Sequence, residues 1–100
     1  MRIALTLAML VLALPTYAAG YAVQIKGMKF NPAKLEVAVG DTITFTNADS
    51  VHHTATALDR SFDTGRLAPG KSARVRIAAA GKHDFKCMIH ASMKGTITAK

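Results

Sequence analysis

The stretch CMIHASMKG at positions 87–95 combines three side chains that bind soft metals. Cys87 is followed three residues later by His90, and His90 is followed three residues later by Met93. The segment lies between two predicted strands, so a hairpin loop can turn these side chains toward one point. A thiolate, an imidazole and a thioether together favour copper, because the sulfur ligands suit Cu(I) and the nitrogen suits both oxidation states. The spacing therefore predicts a copper site in this loop.

Apolar and polar residues alternate at period two along the chain that precedes the loop. Ile43 and Phe45, for example, are separated and flanked by threonines, which is typical of a strand with one buried face. Turn signals such as Pro69-Gly70 separate the apolar segments. The pattern predicts an all-β fold, an antiparallel Greek-key sandwich of about seven to eight short strands.

Composition excludes several classes of protein. The chain has 100 residues, enough for one small domain, and 50% of them are hydrophobic, which argues against a disordered basic tail. Its single cysteine excludes an internal disulfide and every zinc framework built from two or more cysteines. No glycine-rich phosphate-binding motif is present in the sequence.

The N-terminal residues resemble a secretory signal peptide. Arg2 precedes an apolar run over 3–14, and small residues follow Pro15. The run is shorter than the roughly 20 residues that a membrane span needs. We therefore expect a cleaved signal peptide over 1–19, a single domain over 20–100 without a membrane anchor, and export to the periplasm. In such an oxidising compartment a lone thiol is a liability unless it is buried or bound to metal.

A second histidine is required from outside the loop, because blue-copper sites combine two histidines, one cysteine and a distant axial methionine. Adjacent His52 and His53 stand at the start of a short predicted strand over 53–57. Successive side chains of a strand point to opposite faces, so only one of the two can face the core.

Taken together, these features resemble the cupredoxins, most closely their amicyanin–plastocyanin branch. Four features carry the resemblance: the Cys-x-x-His-x-x-Met loop with Gly95 after it, Asn47 six residues before His53, the Val-Gly-Asp-Thr run at 39–42, and the Leu-Ala-Pro-Gly turn at 67–70. In this family a proline usually precedes the first histidine ligand, and His52 takes the place of that proline. The resemblance therefore implies one type 1 copper ion, cycling between Cu(II) and Cu(I), with the ligands His53, Cys87, His90 and Met93.

The resemblance also implies a soluble electron carrier. We do not expect an enzyme, because protein side chains fill all the coordination positions and leave none open for a substrate. The implied partners are redox proteins, such as a c-type cytochrome, a dehydrogenase or an oxidase, and the carrier is expected to be a monomer. The redox partners would dock on an apolar patch around His90. The candidate residues of this patch are Met28, Val51, Leu67, Ile89 and Ala91. The alternative is a periplasmic copper-delivery protein that hands the metal to an oxidase or another copper enzyme.

The net charge of +7 comes from lysines and arginines that are scattered singly, without interleaved stacking aromatics. This pattern does not indicate nucleic-acid binding. Two interpretations of the positive charge remain: a solvated surface, or electrostatic steering toward a redox partner with an acidic docking surface.

The sequence also suggests structural roles for Asn47, Thr54 and His83. Asn47 and Thr54 are expected to form hydrogen bonds between the two ligand-bearing loops, because such bonds orient metal ligands. His83 shares strand parity with Cys87, and we expect a partly buried core histidine there in preference to a second metal site.

Overall fold

The computed structural model describes residues 18–100. These residues contain eight strands, joined by turns and loops, and no helix. The strands are β1 (Gly20–Ile25), β2 (Phe30–Asn31), β3 (Lys34–Val37), β4 (Thr42–Asn47), β5 (Thr56–Ala57), β6 (Ser72–Arg76), β7 (Gly81–Lys86) and β8 (Lys94–Ala99). The predicted signal peptide falls outside this range except for its last two residues. Among residues 18–100, no helix is long and apolar enough to cross a membrane.

The strands form two four-stranded sheets, one in the order β2-β1-β4-β6 and the other in the order β3-β8-β7-β5. The predicted all-β sandwich and its number of strands are confirmed. The sheets are mixed and not purely antiparallel, because β1 pairs parallel with β4 and β3 pairs parallel with β8. Both parallel pairs join strands that are not consecutive in the sequence, so the intervening strands can carry the chain back to the same end of the sandwich.

The core lies between the sheets and is centred on four phenylalanines. The centroids of their rings lie 4.7–6.3 Å apart, the range in which aromatic pairs attract. In β4 the burial alternates residue by residue, and Ile43 and Phe45 are fully enclosed. The period-two pattern of the sequence therefore corresponds to one core face on each long strand.

Gly95 allows β8 to approach this aromatic core closely. It pairs with Phe85 across β7 and β8. A Cβ atom at Gly95 would overlap the Phe85 ring and lie 2.7 Å from the carbonyl oxygen of Ala33. The glycine after the Cys-x-x-His-x-x-Met loop thus has a packing function.

The strand predicted over 53–57 is shorter in the structure, where β5 contains only Thr56 and Ala57. Before β5, backbone N–H groups donate to side chains: that of Thr54 to Cys87 Sγ at 3.4 Å, and that of Ala55 to Thr64 Oγ1 at 2.9 Å. Because these donors are already occupied, the segment does not join the sheet ladder and instead lies beside Cys87.

Candidate metal centre

The loop between β7 and β8 is closed by its own backbone. The N–H of Cys87 donates to the carbonyl of Met93 at 3.1 Å, and the N–H of Met93 donates to the carbonyl of His90 at 3.0 Å. The pairing of Lys86 with Lys94 fixes the base of the loop. The sequence-predicted hairpin loop is therefore present, and its three candidate metal ligands lie within one short closed turn.

This loop and the segment before β5 bring three ligand atoms together. One ligand atom each from His53, Cys87 and His90 lies within 4.8 Å of the others, the one such group of metal-binding side chains found among residues 18–100. His53 and Cys87 are fully buried and His90 is half-buried, whereas His52 is exposed. A pair of backbone hydrogen bonds with Leu67, of 2.7 and 3.1 Å, holds His53 in place.

The Nδ1 atom of His90 is the unsatisfied polar atom of this cluster. Across residues 18–100, it is the single buried side-chain nitrogen or oxygen with no hydrogen-bond partner. Buried polar atoms almost always have a partner, because an unpaired one keeps its full desolvation cost. A metal ion bound between His53, Cys87 and His90 would supply that partner.

The surroundings of Cys87 favour the thiolate, the form that binds metal. Burial raises the pKa of the Cys87 thiol, but backbone N–H groups of Thr54 and His90, both 3.4 Å from Sγ, lower it, and the net shift is downward from the ordinary 9.0. The His53 Nδ1 atom lies 3.8 Å from the same sulfur. The site therefore stabilises negative charge on Cys87 through groups contributed by both ligand-bearing segments.

Thr54 links the two ligand-bearing segments as predicted. Its hydroxyl accepts a hydrogen bond from the N–H of Met88 at 2.9 Å. Asn47 differs from the prediction, because its side chain bonds to the carbonyls of Val51 and Leu67 and to the N–H of Asp49. It therefore ties the histidine loop to the segment of Leu67 and not to the loop between β7 and β8.

The remaining predicted residues divide between core and surface. Met93 is buried, at 2% exposure, in the same core cluster as Cys87. The candidate docking residues Met28, Val51, Ile89 and Ala91 are exposed, and His90 is half-buried. The inclusion of Leu67 in this patch was wrong: it is 4% exposed, because its backbone pairs with His53 beneath the surface.

His83 is a core histidine with both ring nitrogens engaged. Its Nδ1 lies 2.6 Å from the Asp59 carboxylate, and its Nε2 lies 2.8 Å from the carbonyl oxygen of Ala79. The hydrogen bond to Asp59, and then that to Ala79, outweighs burial and raises the pKa of His83. With both nitrogens occupied, His83 has no free position for a metal.

Asp49 is a site residue that sequence reasoning missed. Its Oδ2 atom lies 2.9 Å from Nε2 of His53, on the side of the ring away from Cys87. Backbone N–H groups of Met28 and Gly27 are the largest causes that lower the pKa of the Asp49 carboxyl, so it is ionised at neutral pH. An aspartate four residues before a histidine in a loop forms no recognisable motif, so only the folded structure reveals the contact.

Comparison with known proteins decides the family. A model of the cupredoxin-like domain matches residues 2–99. The chain belongs to the cupredoxin-like family. Amicyanin-alpha of Methylorubrum extorquens is 24% identical to this cupredoxin over 83 residues, which are 78% of the chain and 70% of the relative.

Solved structures agree with the family. A purple cupredoxin from Nitrosopumilus maritimus superposes with a TM-score of 0.73 at 24% identity, covering 80% of this chain and 99% of its own. A copper-containing nitrite reductase from Thermus scotoductus superposes with a TM-score of 0.73 at 30% identity over 87% of this chain. The chain spans only 23% of that reductase.

The donor set of this cupredoxin fits one type 1 copper ion. Two imidazoles, a cysteine sulfur and a buried methionine are the ligands that such a site uses, and the unpaired Nδ1 of His90 is a nitrogen that the ion would satisfy. Together with the similarity to amicyanin, the site implies a function in electron transfer.

Proposed function

We propose that the chain is a periplasmic type 1 copper protein that shuttles single electrons between redox partners, exported by a signal peptide over 1–19 that leaves the domain over 20–100. His53, Cys87, His90 and Met93 would hold the metal. Copper, when bound, supplies one-electron exchange between Cu(II) and Cu(I). The observation that carries the proposal is the buried, unpartnered Nδ1 of His90 beside His53 and Cys87.

The chain's own contribution is a set of donors that stay in place. The backbone bonds from Cys87 to Met93 and from Met93 to His90 close one ligand-bearing segment on itself. The hydroxyl of Thr54 ties that segment to the one that carries His53. Donors held in this way need little rearrangement when the charge at the site changes, which favours fast electron exchange over ligand exchange.

Two surface features support docking to a partner protein. Met28, Val51 and Ile89, three of the residues that the resemblance places on the docking patch, are 39–43% exposed and present apolar surface that a partner protein could cover. Lys86 and Lys94 lie directly opposite each other at the base of the metal-binding loop. Like charges in cross-strand register are destabilising, and a partner with an acidic docking surface would relieve the repulsion.

A redox protein of that kind, such as a c-type cytochrome, a dehydrogenase or an oxidase, is therefore the proposed partner of a monomeric carrier. We propose no catalysis by the chain itself, because four protein ligands leave no coordination position for a substrate. Nucleic acid is not a proposed partner.

Repeated redox cycling in the presence of a Cu(I) chelator tests the proposal against copper delivery. The chain is loaded with one equivalent of Cu(II), then reduced and reoxidised while a competing chelator reports released copper. A carrier returns to its full visible absorption after each cycle and loses little copper. Loss of the metal to the chelator in the first reduced phase would instead identify a delivery protein.

A further inference from the structure

We propose that Asp49 is a positioning residue that fixes the His53 imidazole for copper and, through its negative charge, favours Cu(II) over Cu(I). The inference rests on the proposed function, in which His53 is a copper ligand. In this arrangement one ring nitrogen of His53 faces the metal position, and the other, Nε2, donates a hydrogen bond to the carboxylate of Asp49 in the same loop.

The contact determines which nitrogen of His53 carries the proton. Oδ2 of Asp49 lies 2.9 Å from Nε2 of His53, and the ring is fully buried. An ionised carboxylate can only accept hydrogen bonds, so Nε2 must be the donor. In the neutral ring Nδ1 then keeps a free lone pair, and this is the atom that lies 3.8 Å from Cys87 Sγ. Asp49 thus presents an unprotonated nitrogen to the position between His53, Cys87 and His90 before any metal arrives.

Asp49 is in turn held by backbone groups. Its Oδ1 accepts from the N–H of Gly27 at 2.7 Å, and its Oδ2 accepts from the N–H of Met28 at 3.0 Å. The side chain of Asn47 accepts from the N–H of Asp49 at 2.9 Å. The carboxylate therefore cannot rotate away from His53 without breaking its hydrogen bonds to Gly27 and Met28.

The turn that supplies these two N–H groups is strained. Gly27 and Met28 both have positive φ, 66° and 60°, the combination that two-residue hairpin turns of type I′ require. Glycine adopts this conformation freely, but methionine does so at a cost. The tight turn between β1 and β2 thus presents two successive N–H donors to the Asp49 carboxylate. The side chain of Met28 is exposed.

A charge at this place acts differently on the two oxidation states. The carboxylate makes the imidazole a stronger donor, as it does for other metal-bound histidines. Its negative charge lies at the Nε2 side of the His53 ring. It would stabilise Cu(II) more than Cu(I), because the attraction grows with the charge of the ion. Removal of the charge should therefore lower the affinity for Cu(II) more than that for Cu(I).

The test compares Asp49→Asn with Asp59→Asn. Asparagine keeps an oxygen for His53 and removes the charge at Asp49. The control, Asp59→Asn, also removes one negative charge from a carboxylate–histidine pair. Asp59 bonds to His83, which is four residues before Cys87 and is not a proposed ligand. We expect Asp49→Asn to reduce the preference for Cu(II) over Cu(I) about tenfold, which raises the reduction potential by about 59 mV. Asp59→Asn should leave the potential unchanged, and Asp49→Glu should restore part of the wild-type value.

A second readout needs neither copper nor a variant. Nitrogen NMR of the metal-free wild-type chain should show the neutral His53 ring as the tautomer with its proton on Nε2, and a neutral ring with its proton on Nδ1 would overturn the inference. A wild-type chain that forms the type 1 site, with an unchanged potential in Asp49→Asn, would also overturn it and leave the proposed function intact. A wild-type chain that forms no type 1 site would refute the proposed function, and the tautomer would still report whether Asp49 orients His53.

Discussion

Replacement of Gly95 by alanine should destabilise the domain, because β8 has no room for a side chain at this position. The new Cβ would overlap the Phe85 ring and lie 2.7 Å from the backbone oxygen of Ala33. Neither neighbour can move easily: Phe85 is 1% exposed, with its ring centroid 4.7 Å from that of Phe30 and 5.6 Å from that of Phe45. The substitution therefore forces a shift of packed backbone or of the aromatic cluster.

The magnitude follows from two opposing effects. Overpacking a well-packed core costs about 1–3 kcal/mol, and a clash with backbone belongs at the upper end of that range. Replacing glycine by alanine recovers about 0.4–1 kcal/mol by restricting the unfolded chain. The net loss should be about 2 kcal/mol in the free energy of unfolding, equivalent to a fall of about 8–16 °C in Tm for a domain of this size.

Urea unfolding of the metal-free chain measures this loss, with Gly20→Ala as the matched control. Gly20 is also a strand glycine, and the nearest atom to its added Cβ would be Thr42 Oγ1 at 3.7 Å, an ordinary contact. The control should change the free energy of unfolding by less than about 0.5 kcal/mol. Equal effects of the two substitutions would refute the close-approach explanation of Gly95.

Three further perturbations test other parts of the structure. His53→Ala should abolish or severely distort the copper spectrum, whereas His52→Ala should leave it nearly unchanged, because only His53 is buried beside Cys87. Thr54→Val should lower the free energy of unfolding by about 1 kcal/mol or more, since the Met88 N–H loses its acceptor, whereas Thr54→Ser should not. The ion pair of His83 with Asp59 should make stability fall at alkaline pH: the pKa of His83 is raised, so its contribution is complete below 6.5 and is lost as pH rises through the raised value. The pKa of Asp59 is lowered from 3.8 to about 2, chiefly by the Ser61 hydroxyl and then by His83, so its contribution is lost only in strong acid. In urea titrations, the difference in unfolding free energy between wild type and Asp59→Asn should therefore be larger near pH 6 than near pH 9.

Each of these predictions has an opposing result. A copper spectrum lost in His52→Ala and kept in His53→Ala would reverse the assignment of the buried histidine. Equal stability of the valine and serine variants at Thr54 would show that its hydroxyl does not link the two segments. A difference between wild type and Asp59→Asn that stays constant with pH would show that His83 does not titrate as an ion pair.

Much of the fold could be predicted because one-sided burial leaves a period-two pattern in each long strand. β4 shows this most clearly, since Ile43 and Phe45 alternate with half-buried threonines. The parallel pairings could not be predicted from that pattern, because alternation reports which face is buried and not which strand lies alongside. The strand predicted over 53–57 came out too long for a related reason: a strand-like sequence does not reveal that the N–H groups of Thr54 and Ala55 bond to a sulfur and a hydroxyl.

The candidate site was predictable where ligand chemistry is local in sequence. Cys87, His90 and Met93 share one short loop, so their spacing alone indicated a metal. Asp49 was not predictable, since its contact with His53 depends on a turn between β1 and β2 that is distant in sequence. Leu67 was a candidate for the docking patch that the resemblance implied, but its backbone pairs with His53 and its side chain is buried.

The visible absorption spectrum of the chain loaded with one equivalent of Cu(II), recorded beside that of Cys87→Ser, tests the central claim most directly. Cys87 Sγ lies buried beside the ring nitrogens of His53 and His90 and accepts from two backbone donors. The wild-type chain should show an intense thiolate-to-copper charge-transfer band that disappears on reduction and returns on oxidation. The serine variant should lack the band while it retains the fold. A wild-type chain that binds copper without this band, or a serine variant that keeps it, would contradict the type 1 copper site.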